Sequence, residues 1–175
     1  MKPEQSPFVV SVADLLRRPG HRRALELGGP VGGLTSAGTV VDAGDSVDVT
    51  VGLEAIPEGV VADGRVSAPW RADCRRCLTE VGGRVDVEFR ELFETTPKEG
   101  ETYPLGHEEI DLDPLIREAL LLALPLAPLC EAACQGICPT CGADLNERGG
   151  QCSCAGSEPD PRWAALASLR GRLEE

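Results

Sequence analysis

Eight cysteines stand in four close pairs, Cys74-x-x-Cys77, Cys130-x-x-x-Cys134, Cys138-x-x-Cys141 and Cys152-x-Cys154, and this spacing constrains the chain more than any other feature. In Cys138-Pro139-Thr140-Cys141-Gly142 a two-residue gap is closed by glycine. Such a tight turn aims both sulfurs the same way and lets backbone N–H groups hydrogen-bond to the thiolates. A divalent ion such as zinc takes four ligands of this kind tetrahedrally. All eight cysteines are therefore candidate metal ligands, for one or two zinc ions. Closure cost grows with the logarithm of loop length, so Cys138/Cys141 and Cys152/Cys154 join cheaply in one site. That leaves Cys74/Cys77 and Cys130/Cys134 for a second site tying a sheet to a C-terminal module. The alternative has Cys74 and Cys77 share an ion with Cys138 and Cys141.

Around these pairs the periodicity changes along the chain. Val47, Val49, Val51 and Leu53 alternate with polar residues, as in a strand with one buried face. Val60 to Ala72 gives a second strand, with Pro69 suggesting an edge or a bulge, and Val81 to Phe89 a third. Cys74 to Cys77 then falls at the turn of an antiparallel hairpin. Asp113-Pro114 opens an apolar helix with Asp113 as its cap, running to Leu124, where Pro125 stops it. Only Arg117 and Glu118 interrupt its apolar surface, so it is buried on most sides or lies in an interface. Ser11 caps a short helix to Arg18, glycine-rich 28–38 reads as a loop, and Asp160-Pro161 opens a terminal amphipathic helix.

These elements predict an α+β fold. An antiparallel β-sheet forms the N-terminal part, followed by the apolar helix, a Cys-rich metal knuckle module and the terminal helix. The expected domains are 1–93, with the short helix and the Cys74/Cys77 hairpin knuckle, a mobile acidic linker over 94–109, and 110–175. The lone His107 in that linker reads as a solvated side chain.

The net charge is −12, and residues 1–23 carry +3, which leaves about −15 for the rest. An acidic chain with 3% aromatic residues is poorly suited to gripping phosphates or stacking on bases, so its direct partner is expected to be protein. Arg17, Arg18, Arg22 and Arg23 form the one basic cluster, read either as a solvated helix end or as a small contact with RNA or an acidic partner. The polar N-terminus and the absence of a membrane-length apolar run predict a cytoplasmic protein that does not engage membranes. In a reducing cytosol, cysteines at knuckle spacing favour metal over disulfides, with a thiol redox switch as the competing reading. No catalytic constellation or small-molecule site is legible, so the chain is read as no enzyme.

Leu15-Leu16-Arg17-Arg18-Pro19-Gly20, Cys74-Arg75-Arg76-Cys77-Leu78, Ile110-Asp111-Leu112-Asp113-Pro114, Cys138 to Asn146 and Asp160-Pro161-Arg162-Trp163, in that order, resemble the YceD family. These are the large ribosomal RNA subunit accumulation proteins, and the likeness is to an actinobacterial-type form with a C-terminal cysteine cluster. The resemblance implies a non-enzymatic factor in large ribosomal subunit biogenesis, supporting accumulation of 23S rRNA. It implies large-subunit assembly components or a ribosomal protein as partners, and in many members the C-terminal cysteines are partly or wholly missing. A zinc-bound thiol redox sensor or adaptor is the alternative from another class.

Overall fold

The computed structural model describes residues 6–18, 20–147, 149–154 and 162. It divides into two compact units, residues 1–75 with 79–130, and residues 76–78 with 131–175. The terminal helix expected after Asp160-Pro161 lies outside the described residues.

The first unit is built on strand alternation. β5 (Ser46–Ile56) buries Val47, Val49, Val51, Leu53 and Ala55 while the residues between them face outward or lie at half-burial. It pairs antiparallel with β6 (Gly59–Asp73), which pairs antiparallel with β7 (Glu80–Glu94) from Val60↔Phe93 to Asp73↔Glu80. Pro69 sits inside β6, a strand paired on both sides. On the β5 side, pairing ends at Ser67, and β4 (Thr39–Val41) resumes it at Arg71. Pro69 therefore falls in a local gap of the ladder, where a missing N–H costs little. Trp70 is half-buried, and its indole would lie 3.2 Å from a Cβ on Gly83, a tight contact.

Two glycine positions correct the loop expected over 28–38. β2 (Arg22–Pro30) continues through Gly28 and Gly29, which pair with Asp48 and Val47. A Cβ on Gly29 would lie 2.6 Å from the Pro7 ring, so glycine is needed there for close approach rather than for a turn. The chain turns later, at Ala37 and Gly38, both with positive φ, between β3 (Leu34–Ser36) and β4. That conformation matches the twist of the flanking strands.

The short helix is also smaller than the sequence suggests. α1 spans Ala13–Leu16 behind Val12, and Ser11 belongs to β1 (Val9–Ser11), its hydroxyl donating to the Glu108 carbonyl instead of capping. β1 pairs with β9 (Glu109–Asp111). The stretch 94–109, read as a mobile linker, carries β8 (Tyr103–Pro104), parallel to the end of β7. Tyr103 stacks on Phe93 with ring centroids 5.3 Å apart, and the Thr102 hydroxyl donates to Glu94. Two aromatic residues outweigh the acidic composition there.

α2 spans Asp113–Ala123, with Leu112 as its cap residue. Asp113 is inside the helix, and the Asp111 carboxylate accepts the Asp113 N–H instead. Leu124 turns extended ahead of Pro125. Leu115, Ile116, Leu120 and Leu124 enter the core with Phe8, Leu53, Phe93 and Ile110. Leu122 faces the other way and is 81% exposed. Among the described residues no helix is long and apolar enough to cross a membrane.

Candidate metal centres

The β6–β7 hairpin places the first knuckle. After Asp73 the chain leaves the sheet, and the Cys74 N–H donates to the Thr79 carbonyl, closing the turn that carries Cys74-Arg75-Arg76-Cys77. Leu78 takes a positive φ of 62° to complete it. The two arginines between the cysteines have separate tasks. The Arg75 guanidinium donates to the Ala37 and Leu126 carbonyls, and its backbone N–H to that of Pro128. Arg76 donates to the Cys134 carbonyl at 2.8 Å, and its own carbonyl accepts the Ile137 N–H.

In the second unit the Cys138 N–H donates to the Ala143 carbonyl and the Gly142 N–H returns to the Cys138 carbonyl, both at 2.8 Å. Gly142 has a φ of +70°, which glycine adopts without strain. Asn146, beyond this knuckle, ties back to the Cys134 segment: its Oδ1 accepts the Gln135 N–H and its amide lies 3.5 Å from the Cys134 sulfur.

The eight cysteines come together as two groups, Cys74, Cys77, Cys130 and Cys134, and Cys138, Cys141, Cys152 and Cys154. Within each, the four sulfurs all lie within 4.8 Å of one another. In the second group Cys138 and Cys154 are 3.4 Å apart, Cys141 and Cys152 3.2 Å, and Cys152 and Cys154 2.9 Å. A zinc ion with four thiolates at about 2.3 Å needs sulfurs roughly 3.8 Å apart, so small outward shifts would seat it. Both groups can hold a metal ion, and four sulfurs with no oxygen ligand suit zinc chemistry.

The environments of the groups differ. Cys74, Cys77 and Cys134 are buried and Cys130 is exposed, whereas in the second group Cys138 alone is buried, Cys141 is exposed and Cys152 and Cys154 are half-buried. The Cys138 thiol is pulled down to about 6, first by the backbone N–H groups of Cys141 and Thr140 and then by the Cys154 thiol. Cys154 is pushed up to about 12, chiefly by the side chains of Cys152 and Cys138. Thiols this close share protons unequally, and a cation would release them. His107 is exposed and belongs to neither group.

The arginine cluster is not one patch of free charge. Arg17 pairs with Glu108, Arg22 with Glu54 across the β2–β5 ladder, and Arg23 with Asp14 and the Ser11 carbonyl. Arg18 is exposed. The sequence reading missed Arg75, Arg76 and Asn146 as residues that position the cysteine-bearing segments. Their place between or beside cysteine pairs was the one available signal.

Fold and sites together define a small, mostly antiparallel β protein with two four-cysteine groups that could each hold a metal ion. A family model described as Large ribosomal RNA subunit accumulation protein YceD matches residues 62–170, and the chain belongs to this family. An uncharacterized protein of Mycobacterium tuberculosis is 37% identical over 176 residues, covering 95% of this chain and 83% of the relative. One from Mycobacterium leprae is 34% identical, covering 94% and 78%. The chloroplastic YCED homolog 1 of Arabidopsis thaliana, itself named a large ribosomal RNA subunit accumulation protein, is 34% identical over 73 residues, 42% of this chain and 22% of its own. No solved structure matches.

Proposed function

We propose that this protein is a non-enzymatic factor of large ribosomal subunit biogenesis, acting in the cytoplasm to support accumulation of 23S rRNA through contacts with protein partners. Family membership carries this reading, because the matched model covers most of β6, all of β7, the helix α2 and both cysteine groups. Zinc held by the two groups would be a structural cofactor, fixing the knuckles and filling four positions with sulfur. A site so filled leaves no open position for a reacting water. Charge supports protein over RNA as the direct partner, since the chain is at −12 and Arg17, Arg22 and Arg23 already face carboxylates. Deleting the gene in its native cell should lower the ratio of 23S to 16S rRNA, and the wild-type gene should restore it. An unchanged ratio would remove this function.

A zinc-bound thiol sensor draws on one observation, the exposure of Cys141 in the second group. It requires that mild oxidant release zinc from intact protein and that reductant and zinc restore it.

A further inference from the structure

We infer that the groove between β7 and α2 receives a basic, extended segment of a partner protein, added as a strand along the free edge of β7. This rests on the protein-contact reading above and names the chemistry of the partner.

The backbone supplies the first observation. β7 is paired with β6 over Glu80–Glu94, while on its other side β8 meets only Phe93 and Glu94. Among the described residues no strand covers the edge from Glu80 to Leu92. Such an edge offers a row of N–H and C=O groups, which extended peptides use for strand addition.

Side chains supply the second. Val87 and Phe89 of β7 and Leu115 and Ala119 of α2 floor a groove of about 530 Å³ beside that edge. Leu122 stands on its rim as an exposed apolar anchor. Alternation along the added strand would set every second side chain toward this floor.

Charge decides the occupant. Glu88, Glu91, Glu101 and Glu118 line the groove against the single Arg90. Arg90 faces Asp63 at 3.7 Å, Glu88 is met by Arg65, and Glu118 accepts the Tyr103 hydroxyl. Among the described residues no cation pairs with Glu91 or Glu101. Lysine or arginine alternating with apolar residues complements this lining, whereas a phosphate backbone or a second copy of this acidic chain would be repelled.

The test uses the full chain and a twelve-residue synthetic peptide alternating lysine and valine, read by amide hydrogen exchange and titration. The peptide should protect amides of residues 80–92. Glu91→Lys with Glu101→Lys, or Leu122→Ser, should weaken it about tenfold, while Glu58→Lys on the β5–β6 turn should not. Protection elsewhere, equal protection by a peptide of the same charge broken by prolines, or unchanged affinity after charge reversal would overturn the proposal. So would release of these amides in a chain ending at Cys154, which would make the C-terminal residues the occupant, or their protection rising with self-association. Tighter binding of a uridine homopolymer at the same residues would overturn it in favour of RNA.

In the gene-deleted cell, restoration of 23S rRNA by wild type but not by the doubly reversed variant supports the groove. Full restoration by that variant overturns the groove and leaves the proposed function standing. A deletion without effect on 23S rRNA overturns the function and leaves the peptide titration to judge the groove.

Discussion

Gly136 and Gly142 allow backbone strain to be separated from a contact at the first knuckle. Both have positive φ, +76° and +70°, so alanine at either costs about 1–2 kcal/mol for the left-handed conformation. Around Gly142 nothing lies within 4 Å of a new Cβ. At Gly136 the new Cβ would stand 2.9 Å from the Arg76 carbonyl oxygen and 3.2 Å from the Arg76 Cβ. Backbone next to Cys77 must then shift, and the 3.0 Å bond from the Ile137 N–H to that oxygen weakens. Losing it adds about 1 kcal/mol. Gly136→Ala should thus destabilise by about 2–3 kcal/mol and Gly142→Ala by about 1–2 kcal/mol. Thermal unfolding measures the difference, and zinc per chain after dialysis against a weak chelator measures its reach. Gly136→Ala should lose the ion of the Cys74, Cys77, Cys130, Cys134 group, while Gly142→Ala keeps both ions. Equal stability and equal zinc in the two variants would refute the reasoning.

The two faces of α2 should separate cleanly: Leu120→Ala, fully buried, should cost about 2–5 kcal/mol in denaturant unfolding, and Leu122→Ala less than about 0.5 kcal/mol. A colorimetric chelator should draw zinc in two phases, the exposed Cys141 group first and the group with buried Cys74, Cys77 and Cys134 later. Because zinc needs thiolates, lowering the pH should accelerate both phases. Any affinity for naked 23S fragments should fall with salt at a log–log slope no steeper than about 3 to 4, four neutralised phosphates' worth, and shallower where Arg17, Arg22 and Arg23 keep their carboxylates.

The strands β5, β6 and β7 were legible because their apolar residues alternate against water, and the Cys74–Cys77 turn followed from them. The grouping of cysteines coincides with the one that short loop closure favours. Other features depend on distant partners that no local pattern carries. Gly28 and Gly29 read as loop although both pair in β2, where Gly29 admits Pro7, and 94–109 read as mobile although the β7–β8 pairing, the Phe93–Tyr103 stack and the Thr102–Glu94 bond hold it. Asp111 rather than Asp113 meets the start of α2, a two-residue ambiguity between aspartates on either side of Leu112. The arginines look like a patch in sequence, yet Glu54 of β5, Asp14 of α1 and Glu108 just before β9 reach them.

Cross-linking in the native cell tests the central claim most directly. Amine-reactive reagent should join this protein to proteins of the large ribosomal subunit or its precursors, while ultraviolet light should give no rRNA adduct above that of an unrelated acidic protein. Strong ultraviolet adducts to 23S rRNA without protein cross-links would contradict the account.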